Sequence, residues 1–547
     1  MYDASTVLVM LVMVVASGTV GRMLPFAVPL PLVQIVLGAL VAVEANYGMV
    51  LEPDIFFLLF LPPLLFLDGW RIPKEDLFRD IAVILEMSLG LVIFTVIGVG
   101  FLIHWMFPSM PLPIAFALAA IVSPTDPVAV SAIAARVPIP KRLMHILEGE
   151  SLLNDASGLV CMRFAVAAAL TGVFSLADAS LVFLWLAIAG LAIGVGLTWA
   201  VALVKAWCGR RFGGESGAEI MVSLLIPFVA YLIAEHMHAS GILAAVAAGI
   251  TMSYSEQTGQ VLAMTRIRRN AVWDMVQFAL NGIMFVLLGE QLPRIVSGAV
   301  TVVAEMDSLG FGGLIAGVLG ITAALMLLRL IWVWVSLRFT LYRAARRGQS
   351  TEAPGWRLIV VTSVAGVRGA VTLAGILTLP LTQLDGSPFP TRDLAIFLAA
   401  GVVITSLLIA SVVLPFLLKD VELPKESLHQ RQEDRARASA AEAAIKAVET
   451  AELSLVERDG DPEMHAAAAA RIVDFYRQRA IGFAMDKTED AETYHRGQEI
   501  ERRLWLVGLR AERTEIYRTA HTHRLSEEAA SKLVSEIDLI EARMSDG

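Results

Sequence analysis

The chain has 547 residues, of which 56% are hydrophobic and 17% charged, with a formal net charge of −9 and two cysteines. A composition this apolar excludes an ordinary soluble protein of this size. The two cysteines, Cys161 and Cys208, lie far apart in or beside apolar stretches and exclude a disulfide framework.

Charge is unevenly spread. Residues 1–420 carry 24 Lys+Arg and 26 Asp+Glu, whereas residues 421–547 carry 19 and 26 in a much shorter stretch. That step divides the chain into a transmembrane domain, residues 1–420, and a water-facing helical tail, residues 421–547.

In chain order, the first apolar run, Val7 to Val20, has no basic residue ahead of it and reads as an uncleaved first span. Windows long enough to cross ~30 Å of hydrocarbon follow, giving thirteen in all: residues 5–22, 25–43, 54–70, 81–103, 112–134, 143–170, 180–204, 218–237, 239–255, 272–289, 310–337, 357–381 and 393–418. With an outside N-terminus, nineteen loop Lys and Arg fall on one side and only Arg294 and Arg392 on the other. The excess marks the cytoplasmic face, so the tail is expected in the cytoplasm.

Thirteen spans with the seventh as a linker make two six-helix halves of opposite orientation, the inverted-repeat plan of secondary transporters. Spans 5 and 12 then correspond. One is interrupted by Pro124 and Pro127, the other by Gly366, Gly369, Gly375 and Pro380, and such broken crossing helices mark a midplane site. The fold class is an all-α polytopic membrane protein with a cytoplasmic helical tail.

The fifth and sixth spans carry the acids, in Ser123-Pro-Thr-Asp-Pro-Val-Ala-Val130 and Glu148-Gly-Glu-Ser-Leu-Leu-Asn-Asp155. An ionisable group near a bilayer centre costs roughly 2.5–3.5 kcal/mol, so Asp126, Glu150 and Asp155 need partners, protons or an ion. Counting from the nearest inner-face basic residues at ~1.5 Å per residue puts Asp126, Asp155, Arg329 and Arg368 in one slab, roughly 14–20 Å deep. On span six, Ser151 and Asp155 form one stripe and Glu150 and Asn154 another, rotated by ~100°. The first can face a monovalent cation, together with the Asp126 carboxylate and a carbonyl freed by Pro127. The second can pair with an arginine, which keeps that acid charged. Asp68 follows Phe60-Leu-Pro-Pro-Leu-Leu-Phe66, three residues from Arg71, and either lines a cytoplasmic funnel or caps its span. Arg163 is expected to snorkel to the outer surface. Glu86, Glu235, Asp274 and Glu290 read as interfacial, and His104 as solvated in an outer loop.

The tail repeats Ala, Glu and Arg at helical spacing and reads as amphipathic helices broken at Asp459-Gly-Asp-Pro462. His521 and His523 read as solvated.

The segments SPTDPVAV (123–130), EGESLLNDASGLV (148–160), GVRGAVTLAG (366–375) and FLPPLLF (60–66) resemble those of bacterial sodium/proton antiporters of the cation:proton antiporter-1 family, relatives of the animal sodium/proton exchangers. The resemblance covers the whole membrane domain. It implies that Asp155 carries cation and proton, that Thr125 and Asp126 help coordinate the ion with Ser151, and that Arg329 bridges to Glu150. Arg368 is the arginine of the Gly-rich motif. It also implies a homodimer, with alternating access by movement of an ion-carrying bundle. Relatives often carry Glu directly after the Leu-Pro-Pro helix, where this chain has Leu67-Asp68.

The expected function is antiport of Na⁺, with Li⁺ or K⁺ as alternatives, against H⁺ for pH and sodium homeostasis. Burial disfavours the bare charge of Asp155 and a bound cation favours it, so proton and cation compete for one carboxylate. A lone carrier acid in Asn154-Asp155 points to electroneutral exchange. The lipid bilayer and monovalent cations are the expected partners, with no cofactor and no nucleic acid. A K⁺/H⁺ antiporter of the same fold is the nearest alternative. An intramembrane aspartyl protease using Asp126 and Asp155 is a rival of another class, as is a non-transporting ion sensor. The protease needs flexible Gly-containing surroundings for each Asp, whereas Asp126 sits beside Pro127.

Overall fold

The computed structural model describes residues 4–23, 28–45, 53–127, 130–131, 141–172, 176–212, 216–256, 263–305, 310–346, 355–383, 386–419, 436, 439–452, 462–484, 489–521, 529, 533–534 and 536–541. Residues 128–129 and 132–134 of the fifth apolar window, Arg136, the Asp459-Gly460-Asp461 break and His523 lie outside the described residues.

The chain divides into two compact units, Met1–Glu422 and Leu423–Gly547. The first contains α1 (Ala4–Met23), α2 (Leu30–Ala45), α3 (Pro53–Arg71), α4 (Lys74–Arg79), α5 (Ile81–Leu85), a π-helical turn (Glu86–Leu91), α6 (Val92–Met106), α7 (Leu112–Val122), α8 (Lys141–Thr171), α9 (Leu176–Phe212), α10 (Ser216–His236), α11 (Gly241–Glu256), α12 (Ala263–Glu305), α13 (Phe311–Arg346), α14 (Trp356–Val364), α15 (Ala370–Leu377) and α16 (Arg392–Leu418). Among the described residues, seven helical segments are long and apolar enough to cross a membrane, and four more apolar helices are shorter. This is a polytopic all-α membrane protein. Leu181, Trp185, Trp199, Leu203 and Trp207 of α9 are exposed, as expected of side chains that meet lipid.

Among the described residues, each of the thirteen apolar windows contains helix, although only seven helical segments have the length and apolarity to span a membrane. The tenth, read as 272–289, belongs to the 43-residue α12, whose first turns carry Arg266, Arg268 and Arg269. Arg269 is buried with its guanidinium over the Trp70 ring. A charge stacked on an indole can continue a helix beyond the apolar window. The fifth and twelfth windows are not continuous helices. Residues 123–126 are non-helical after α7, and residues 366–369 separate α14 from α15.

Backbones approach closely where α2 meets α12 and α3 meets α11. A Cβ on Gly289 would overlap the Ile35 carbonyl and one on Gly38 the Val286 carbonyl; Gly249 and Gly69 stand in the same relation to Phe66 and Val246. Phe66 stacks on Trp273, their ring centroids 5.3 Å apart, tying α3 to α12.

Two sequence readings are corrected. Glu290 is buried and accepts a 2.7 Å bond from the Gln291 amide, not interfacial. His104 ends α6 instead of sitting in a loop, and its Nδ1 lies 2.8 Å from the Met110 carbonyl oxygen. In both cases a local partner replaces water.

The second unit contains α17 (Pro462–Ala484) and α18 (Glu489–His521). Arg513 of α18 bonds Asp538 at 2.5 Å and also pairs with Glu541. Arg518 holds the exposed Glu515 carboxyl below its ordinary range through a direct hydrogen bond.

Candidate functional site

Pro124 and Pro127 cannot donate helix bonds, and the backbone beyond α7 is non-helical at Ser123–Asp126. A second non-helical stretch, Gly366–Gly369, lies against it. The Asp126 amide donates to the Val367 carbonyl at 2.7 Å, joining the two unwound strands directly. Unwound backbone at membrane depth needs such partners, because lipid supplies none.

Charged groups sit at the helix ends that these two breaks create. Arg368 is buried and its Nε donates to the Val122 carbonyl at 2.9 Å, meeting the negative end of α7; Nη1 donates to the Gly366 carbonyl. The Arg368 amide donates to Ser406 Oγ of α16 at 3.2 Å. Conversely, Asp126 lies against the start of α15, so close to Gly369 that a Cβ there would overlap its carboxylate. The positive end of a helix favours an acid at that place. Arg392 serves the other end of α15, its Nε donating to Leu379 at 3.0 Å and Nη2 to Leu377 at 3.1 Å.

The two stripes of α8 have different surroundings. Glu150 is buried and receives a forked pair from the equally buried Arg329 of α13, with Nη2 2.6 Å from Oε2 and Nη1 on Oε1. Arg329 Nε donates to the Thr362 carbonyl at 3.0 Å, so the pair also holds α14. Thr125 Oγ1 donates to Glu150 Oε1 at 3.3 Å, and Asn154 Nδ2 donates to Thr125 Oγ1 at 3.0 Å. Glu150, Asn154, Thr125 and Arg329 thus form one connected network.

Ser151 and Asp155 face a cavity of about 50 Å³. Asp68 of α3, Thr125, Asp126 and Thr372 line it as well. A cavity of that size can hold a cation or water, which needs ~10–15 Å³ of such space. Three carboxylates and several hydroxyls supply the hard oxygen ligands that an alkali cation prefers. The sequence reading missed Gln277 and Asn281 of α12, which line the same cavity. Their signal was slight, being two amides four residues apart in an otherwise apolar window.

Elsewhere, Arg163 Nη2 lies 3.8 Å from Glu235 Oε1 beside a second cavity of about 430 Å³.

Residues 7–420 match the family described as "Sodium/hydrogen exchanger, transmembrane". The chain belongs to the sodium/hydrogen exchanger family. Over 546 residues the exchanger is 41% identical to the Na⁺/H⁺ exchanger YjcE of Escherichia coli K12, covering 98% of each chain. It is 39% identical over 532 residues to a sodium, potassium, lithium and rubidium/H⁺ antiporter of Bacillus pumilus, covering 96% of this chain and 76% of that one. Its fold is similar to that of the sodium proton antiporter MjNhaP1 of Methanocaldococcus jannaschii, with a TM-score of 0.56 at 18% identity over 76% of this chain and 97% of the other. The exchanger is a bacterial antiporter of the cation:proton antiporter-1 type, which moves Na⁺ or a related cation against H⁺ by secondary active transport in ion and pH homeostasis.

Proposed function

We propose that the exchanger binds one monovalent cation or one proton at Asp155, with Asp126, Ser151 and Thr125 as further oxygen ligands, and that the exchange is electroneutral. One observation carries this reading. Glu150 is buried against Arg329 while Asp155, on the next stripe of the same helix, faces the cavity. A carboxylate locked in a buried arginine fork stays charged and structural. A carboxylate facing a small polar cavity can trade a proton for a cation, and competition for that acid couples the two fluxes.

In this reading Glu150, Asn154, Arg329 and Arg368 hold the crossing together, and Asp68 lines the cytoplasmic funnel. Residues 1–420 form the exchanger domain, with thirteen spans in two inverted six-helix repeats and spans 5 and 12 as the crossing pair. Residues 421–547 form a cytoplasmic tail. The N-terminus lies outside a plasma membrane, and the protein works as a homodimer by alternating access. The two non-helical stretches and the basic loop residues support that arrangement. K⁺ is a second cation, favoured by the sodium, potassium, lithium and rubidium range in the names of the Bacillus relatives.

The test is proton movement in proteoliposomes challenged with Li⁺, Na⁺, K⁺ and Rb⁺ in turn. Asp155→Asn is expected to abolish the response to all four while retaining the wild-type elution profile. Exchange at the normal rate by that variant would remove Asp155 from the site.

A further inference from the structure

The site as proposed draws its ligands from Thr125–Asp126 and α8, but the cavity has another wall. Gln277, Asn281 and Met284 of α12 line it at helical spacing, beside Leu61, Leu65 and Asp68 of α3. Outward along the same face of α12 stands exposed Asp274, paired with Arg71, whose Nη1 also donates to Gln277 Oε1 at 2.8 Å. Asp274, Gln277 and Asn281 therefore make a polar ladder from an exposed ion pair to the cavity.

Asn281 stands out on this ladder. Its Oδ1 is fully buried, and among the described residues it accepts no hydrogen bond. A buried amide oxygen left without a donor costs about 1–3 kcal/mol, so such an atom calls for something in the cavity to meet it. Asp68, Asp126 and Asp155 line the same cavity and offer further acceptors when ionised, and the hydroxyls of Thr125, Ser151 and Thr372 and the Gln277 amide, which could donate, make no bond to the Asn281 oxygen. A cation satisfies acceptors on both walls at once.

We infer that the Asn281 side-chain oxygen is a ligand of the transported cation, supplied from the wall opposite Asp155, and that it sets the preference among alkali cations. This rests on the proposed site at Asp155. A neutral oxygen adds a ligand without adding a charge, so it contributes most to a larger ion whose coordination number exceeds what the carboxylates can fill. Asn281 thus favours K⁺ and Rb⁺ relative to Li⁺. It also explains how a site whose charged ligands lie on α8 and the α7 end can release its ion: movement of one wall past the other strips away the amide oxygen.

The experiment measures apparent KM and Vmax for Li⁺, Na⁺, K⁺ and Rb⁺ in proteoliposomes with wild type, Asn281→Leu and Asn281→Asp, and with Asp155→Asn as reference. Asn281→Leu, which keeps the volume and removes the oxygen, is expected to raise the KM for K⁺ about tenfold and that for Li⁺ less, with Vmax within about twofold of wild type. Asn281→Asp, which restores an oxygen together with a charge, is expected to recover cation affinity without the preference for K⁺ and Rb⁺. Should the leucine variant not fold, Asn281→Ala, which also removes the oxygen, is read in its place. Unchanged KM values, an equal shift for all four cations, or a fall in Vmax alone would each overturn the assignment. If Asp155→Asn still exchanges, the proposed site fails first and takes this inference with it; if only the Asn281 variants behave as wild type, the site at Asp155 stands.

Discussion

Two parts of the membrane unit are held together in opposite ways. Where α2 meets α12 and α3 meets α11, glycines let backbones touch and apolar side chains fill the rest. Where Ser123–Asp126 meets Gly366–Gly369, a few directional bonds do the work: Asp126 to Val367, Arg368 to Val122 and Arg329 to Glu150. Close packing is stiff because every neighbour resists every displacement. Hydrogen bonds, two of these three made by charged groups, depend on direction and can be exchanged for others, so the proposed movement is expected in the second region before the first.

The sharpest way to break this contrast is at its strongest bond. Glu150→Gln leaves Arg329 buried without its counter-charge and is expected to cost about 3–5 kcal/mol, read as a lower melting temperature in detergent. An unchanged melt with lost transport would place Glu150 among the ion ligands instead. Next come Gly249→Ala and Gly289→Ala, each pushing a methyl into a facing carbonyl. Overpacking of this kind costs about 1–3 kcal/mol, and the expected result is a lower melt and yield with unchanged cation KM per folded molecule.

The same substitution at the crossing should read differently. In Gly369→Ala the added methyl meets the Asp126 carboxylate, and the expected outcome is about a tenfold loss in apparent cation affinity, a 1.4 kcal/mol effect, with less change in melting than at Gly249. If both glycines affect only stability, the crossing is no more adaptable than the scaffold. The smallest expected effect is none: at different membrane potentials imposed without a gradient of any alkali cation other than Na⁺, Na⁺-driven proton movement should keep its rate and end-point. A response to voltage would mean a second proton, with Asp126 the candidate, since two H⁺ per Na⁺ couples ~2.3 kcal/mol per cycle at 100 mV.

The all-α membrane fold was legible in the sequence because hydrocarbon imposes long apolar windows, and among the described residues these windows are mainly helical. The family was legible because the acid-bearing segments combine rare residues in one order. Less legible was anything decided by a neighbour from elsewhere in the chain. Arg269 lies beyond an apolar window yet is buried in α12, because Trp70 of α3 stacks on it. Gln277 and Asn281 are unremarkable amides until α3 and α8 close a cavity around them. His104 and Glu290 looked wet because their partners, the Met110 carbonyl and the Gln291 amide, give no one-dimensional signal. Helix ends were blurred for the same reason: hydropathy shows where a helix is greasy and not where it stops.

The π-helical turn at Glu86–Leu91 has a consequence for the rotational phase of the fourth span. Such a turn accommodates one residue more than an α-helix, so everything after it is rotated by about 100° relative to a helix lacking that residue. Thr95, one turn further on, accepts the Ser123 hydroxyl at 3.0 Å at the start of the unwound stretch, and Ser157 of α8 donates to the Ser88 carbonyl within the turn at 2.6 Å. Deleting a single residue from Glu86–Leu91 would leave the span as long and as greasy as before, yet it would dial Thr95 away from Ser123 and set the helix out of phase with both its polar neighbours.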